Sequence, residues 1–289
     1  MIHERLSPMT KLIAALAILA ALAWAATATA SWIAKKKAPL AIGAGRAQIH
    51  ATPVEQDRAM KKAQWRTVAA IAFAAVMFAT LFRLSVGLSG QEGLPVAVTA
   101  GLSASGGLLL FSALPATKIP ASNTRFPLLP KRAFLLPAAI LAAFTAFVIT
   151  AGLVPGFIAV KNDGVPLLLM AVAFGGSAVL ALHRLNTTLA LADPRMSAFD
   201  RRWRELSARN LLTFTNGALL TYFGTAVILT GLALATAEAE AAFPHWGVAG
   251  TAGGAALALA GVVLLALAAR GALTIRAATS KSAPTPITA

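Results

Sequence analysis

The sequence predicts an all-α integral membrane protein, a bundle of seven transmembrane helices with the N-terminus outside and the C-terminus in the cytoplasm. Three observations carry this reading. Of the 289 residues, 58% are hydrophobic and only 12% are charged, and the mean hydropathy is +0.74, outside the range of soluble globular chains. Apolar runs recur at the length needed to cross a bilayer, ~20 residues at ~1.5 Å each. The basic residues fall between these runs on alternating sides, as the positive-inside rule requires.

The first run, 12–34, is almost entirely Ala, Leu and Ile. Arg5 and Lys11 in front and Ala-Thr-Ala-Ser behind give it the outline of a cleaved signal peptide. Cleavage would leave Lys35, Lys36, Lys37, Arg46, Arg58, Lys61, Lys62 and Arg66 outside, against the charge rule, so the run reads as an anchor. Thr52-Pro53-Val54-Glu55 then has the spacing of a capping box with proline at the first helical position. A helical cytoplasmic segment, 53–67, should run straight into the second span, 68–88. Arg83 sits near the outer end of that span, close enough to water to snorkel.

A Gly-rich turn without a basic residue separates this span from the third, 95–114. Lys118, Arg125, Lys131 and Arg132 follow among four prolines, which favour extended chain because proline lacks an N–H and restricts its predecessor. The fourth span is 133–154, and an outer loop carries Lys161 and Asp163. The fifth, 166–183, is short and ends at His183.

Residues 194–210 form a second basic cytoplasmic helix, with Asp193 as N-cap and Pro194 at its first position. Asp200–Arg204, Arg201–Glu205 and Glu205–Arg209 become neighbours on its surface, and Phe199, Trp203 and Leu206 share a face. The sixth span, 211–236, an acidic outer loop with Glu238, Glu240 and His245, and the seventh span, 247–269, complete the membrane domain, which ends near 276. Residues 277–289 are a Ser/Thr/Pro tail expected to be disordered. Of the 25 basic residues, all but Arg5, Lys11, Arg83 and Lys161 fall on the inner side.

The formal net charge of +15 therefore orients the chain and attracts anionic headgroups, at roughly 1 kcal/mol per basic residue near the surface. It does not point to nucleic acid. The absence of cysteine excludes disulfides, thiolate catalysis and iron–sulfur or zinc-cysteine sites. Ionisable residues within spans usually mark ion pathways, and these runs hold essentially none beyond Arg83, which disfavours pumps and ion-coupled transporters. The last span lacks a lysine for a retinal Schiff base. His183 and His245 fall at opposite ends of the topology, so they cannot share a haem. Glu238, Glu240 and His245 read as an acidic loop rather than a metal site. Gly43-Ala44-Gly45-Arg46 follows no strand and reads as linker. No catalytic residue, cofactor site or metal site is assigned, and the chain is not expected to be an enzyme.

Small residues give a clearer pattern. Gly217, Thr221, Gly224, Ile228 and Gly231 line one face of the sixth span, and Gly250, Gly254 and Ala258 line the seventh; such stripes let helices approach closely in lipid. Thr213, Thr215, Asn216 and Tyr222 add polarity to the inner half of the sixth span. Spans one to three and five to seven share an orientation, and Trp65 and Trp203 precede spans two and six at similar positions. That suggests the parallel three-plus-one-plus-three layout of some transporters, although the Pro-Gln dipeptides of PQ-loop sugar transporters are missing.

Gly-Val-Pro-Leu-Leu-Leu at 164–169 and Asp200-Arg201-Arg202-Trp203-Arg204 resemble segments of uncharacterised polytopic membrane proteins of high-GC actinobacteria. The resemblance covers the latter half of the chain. It implies a multi-pass protein of the bacterial inner membrane and transfers no activity. The leading functional expectation is a structural or accessory subunit of a membrane complex, with lipids, a membrane-protein partner or a second copy as partners. The alternative is a facilitator for a small neutral or amphiphilic solute. Arg195, Arg201, Arg202, Trp203 and Arg204 are the candidates for contact with anionic lipid or a partner.

Overall fold

A chain segment in lipid must satisfy its own backbone hydrogen bonds, so apolar runs of this length become helices. The computed structural model describes residues 53–89, 93–114, 128–153, 158–191, 196–237 and 245–281. These form six α-helices: α1 Pro53–Ser89, α2 Gly93–Ala113, α3 Leu135–Leu153, α4 Ile158–Thr187, α5 Ser197–Ala237 and α6 His245–Lys281. A short 3₁₀ turn, Lys131–Phe134, leads into α3. Among the described residues there is no strand, and six helices are long and apolar enough to cross a membrane. They are the later six of the seven apolar runs; the first run, 12–34, lies outside the described residues.

The basic segments before the second and sixth spans are not separate elements. α1 carries 53–67 and its apolar run as one helix of 37 residues, and α5 does the same over 41. α4 differs from the sequence expectation. It starts at Ile158 and holds Pro166 in its interior, so 158–165 are helical and lead into an apolar span over Gly164–Thr187. Proline forfeits one i→i−4 bond, and neighbouring helices in a bundle tolerate that loss.

The helices pack in a row, α1 on α2, α2 on α4, α4 on α5 and α5 on α6, with α3 set against both α4 and α5. α3 docks through aromatics: Phe144 stacks on Phe223 of α5 at 5.3 Å between ring centroids, and Phe147 meets the same ring edge-on at 5.8 Å. Phe144, Leu167, Met170, Leu219 and Tyr222 belong to one buried cluster in the middle of the row. A second cluster gathers Ala63, Leu129, Leu182, Leu185, Leu191, Met196 and Trp203 at the basic end.

The α5–α6 contact is the most extensive, and its geometry follows from glycine. Gly217, Gly224 and Gly231 climb α5 in steps of seven while Gly261, Gly254 and Gly247 descend α6 in the same steps. A Cβ on Gly217 would lie 2.9 Å from the Gly261 carbonyl oxygen, one on Gly224 2.4 Å from the Ala258 amide nitrogen, and one on Gly231 2.5 Å from that of Thr251. Seven residues are close to two helical turns, so a single face stays in register along the antiparallel pair. The stripe on α6 is thus Gly247, Gly254 and Gly261. Gly250 lies at its margin, where an added Cβ would meet only the Gly231 Cα at 3.5 Å.

Candidate functional site

The basic end of the row concentrates the polar chemistry of the described residues. The C-terminal carbonyls of a helix have no partners in their own helix and carry the negative end of its dipole. In this protein arginines from neighbouring helices close two such ends. Arg204, in the second turn of α5, donates from Nη1 to the carbonyl oxygens of Leu185 (3.2 Å) and Asn186 (3.4 Å) in the last turn of α4. Arg66 of α1 donates from Nη2 to the carbonyl oxygens of Phe111 (3.3 Å) and Leu114 at the end of α2. Its guanidinium also lies 5.3 Å from the centre of the Phe111 ring, within cation–π range.

Asp200 organises the α4 side of this end. Its Oδ2 accepts from Arg204 Nε at 2.7 Å, and its Oδ1 accepts from the amides of Ala190 (2.6 Å) and Leu191 (2.8 Å). The chain leaving α4 is thereby fastened to the first turn of α5. Asn186 Oδ1 accepts from the Leu128 amide at 3.4 Å, tying in the approach to α3. Asp200 is 1% exposed and Arg204 8%. Burying a charge pair is costly unless the remaining donors and acceptors are satisfied; here each partner has further backbone bonds that offset the loss of water. Trp203, 2% exposed, packs into the apolar cluster behind the pair.

This geometry separates the five basic-segment candidates. Arg201 and Arg202 are exposed, and Arg202 also reaches Glu205 at 3.8 Å. Trp203 and Arg204 point inward, so they are withdrawn from any contact with lipid headgroups. Arg195 lies outside the described residues, as do the Asp193 cap and Pro194. Glu205–Arg209 is an exposed pair at 2.6 Å. Arg83 and His183 are exposed near the ends of α1 and α4. Glu238 and Glu240 lie outside the described residues.

The polar face expected on the inner half of α5 is mostly engaged. Thr213 and Thr215 donate to the carbonyls of Arg209 (3.1 Å) and Leu211 (2.8 Å) in their own helix, the usual resolution for hydroxyls in apolar surroundings. Tyr222 instead crosses to α2 and donates to the Ala97 carbonyl at 3.0 Å. Gly101 makes room for it, since a Cβ there would lie 2.3 Å from the Tyr222 hydroxyl. Asn216 Oδ1 and Ser105 Oγ are buried and have no partner among the described residues.

Arg66 is the residue that reading the chain by composition misses, because there it is one of eight bases in a loop. The available signal is the dipeptide Trp-Arg, which occurs as Trp65-Arg66 and Trp203-Arg204 before two apolar runs. The two tryptophans differ in setting, however: Trp65 is 70% exposed and Trp203 2%. Arg66 closes the helix that follows its own, whereas Arg204 closes the helix that precedes its own.

Comparison with protein families, curated proteins and solved structures found no match for the chain. The assignment of function rests on the geometry.

Proposed function

We propose that the chain is a structural or accessory subunit of a membrane complex, a multi-pass protein of the bacterial inner membrane with its basic end in the cytoplasm. The observation that carries this reading is the use made of buried charge. Asp200, Arg204 and Arg66 spend their bonds on backbone groups of adjoining helices, which holds the bundle and leaves little for chemistry. α6 has α5 as its main neighbour and turns Leu259, Val262, Val263 and Leu267 outward. That is a face for lipid or for another membrane helix. Solubilisation in a mild detergent followed by size-exclusion chromatography and mass spectrometry tests the proposal. A stoichiometric membrane partner or a defined homo-oligomer is expected. A monomer carrying lipid alone contradicts it.

A second reading, a facilitator for a small neutral solute, draws on Asn216 Oδ1 and Ser105 Oγ. Buried polar atoms without partners are costly, and a hydrogen-bonding solute could meet them. Flux through proteoliposomes that falls on Asn216→Leu supports it; no flux above protein-free vesicles removes it.

A further inference from the structure

Arg66 and Arg184 line one small cleft with Phe111, Leu185, Thr188 and Ala190, where the end of α4 meets α1 and the end of α2. Two positive charges face the same space, and no described ion pair neutralises either. Asp200, which holds the adjoining Ala190 amide, is already engaged by Arg204. The Thr188 hydroxyl donates to the Arg184 carbonyl at 2.7 Å. Arg66 uses Nη2 for the end of α2 and keeps a buried Nε with no acceptor. Arg184, in the last turn of α4, is exposed. The cleft is partly open to its surroundings and has room at its base for about one water. It is too small for a metabolite, and it suits a single oxygen of an anion presented from outside.

We infer that Arg66 and Arg184 form a binding site for a phosphate group, seated at the basic end of the bundle where three helices meet. This goes beyond a role in assembly and does not depend on it. Arginine guanidinium groups match phosphate oxygens through charge-assisted, often paired hydrogen bonds. Arg66 is held in place by the α2 carbonyls and the Phe111 ring, so it is pre-positioned, and Arg184 is free to close on the ligand. The phosphate can come from an anionic lipid headgroup or from solution.

The full-length protein in nanodiscs distinguishes these sources. Native mass spectrometry would measure retention of phosphatidylglycerol against phosphatidylcholine. Thermal shift in phosphatidylcholine nanodiscs would measure stabilisation by inorganic phosphate. The variants are Arg184→Gln, whose exposed side chain makes no described bond, and Arg270→Gln, an exposed base of α6, as a control for general surface charge. We expect Arg184→Gln to lose about tenfold in affinity for the ligand concerned, while Arg270→Gln stays near wild type. Selective loss of phosphatidylglycerol assigns a lipid headgroup; selective loss of the inorganic phosphate shift assigns a soluble anion. If Arg184→Gln matches wild type in both assays, or both variants lose equally, the site does not exist.

Discussion

Asp200 and Arg204 pair at 2.7 Å with side chains only 1% and 10% exposed, one turn apart on a helix whose neighbours Arg201, Arg202 and Arg209 are all solvent-facing. The pair binds four backbone groups of 185–191 besides each other. It is therefore the joint between α4 and α5. Removing one member strands the other charge in the interior, which typically costs ~3–5 kcal/mol. Asp200→Ala should lower the thermal midpoint in detergent markedly, and Arg204→Ala should do likewise. Arg202→Gln, at the surface, should stay within ~0.5 kcal/mol. Equal midpoints for all three would remove the joint.

The glycine ladder predicts a sharp positional contrast. Gly224→Ala drives a Cβ into backbone atoms of Ala258 and Gly254, which cannot rotate away, so α5 and α6 must separate. A cost of ~1–3 kcal/mol is expected for such overpacking. Gly250→Ala meets only ordinary contact, and Gly253→Ala meets open space; both should be neutral. Thermal unfolding of the three variants side by side checks this, and a Gly250→Ala penalty equal to that of Gly224→Ala would contradict the register.

Tyr222 and Gly101 should be coupled. Tyr222→Phe removes the bond to Ala97 and should cost ~1 kcal/mol. Gly101→Ala collides first with the Tyr222 hydroxyl. Deleting that hydroxyl relieves the closest clash, so the double variant should be less damaged than the sum of the two single ones. Strict additivity in a double-mutant cycle would show that the two sites do not touch.

How far this architecture was legible in the chain differs by feature. The helices could be read because run length and the demand for internal hydrogen bonds leave no other choice. The start of α1 at Pro53 could be read because Thr52-Pro53-Val54-Glu55 carries capping chemistry. The start of α4 at Ile158 is not legible: Pro166 marks the beginning of the apolar span, which runs Gly164–Thr187, and the helix extends beyond it on the N-terminal side. The stripe on α5 is visible as Gly217, Gly224 and Gly231, whereas on α6 a four-residue spacing finds Gly254 and Ala258, adds the marginal Gly250, and leaves out Gly247 and Gly261. Which of two glycine faces is used depends on the partner's register, and a single helix does not encode it. Likewise Asp200–Arg204 pairing follows from i,i+4 spacing, but its burial follows from the end of α4 lying over it. Arg66 could not be assigned to the end of α2 from order alone.

The proposed topology places the helix ends joined by Asp200, Arg204 and Arg66 on the cytoplasmic side of the membrane. The chain has no cysteine, so single cysteines can report sidedness directly. Arg202→Cys, Gln91→Cys and Ser7→Cys, labelled with an impermeant maleimide in intact and permeabilised cells, would make the measurement. Labelling at 91 and 7 in intact cells, with 202 reacting only after permeabilisation, is the predicted result. Labelling at 202 in intact cells, or identical behaviour at 91 and 202, would contradict it.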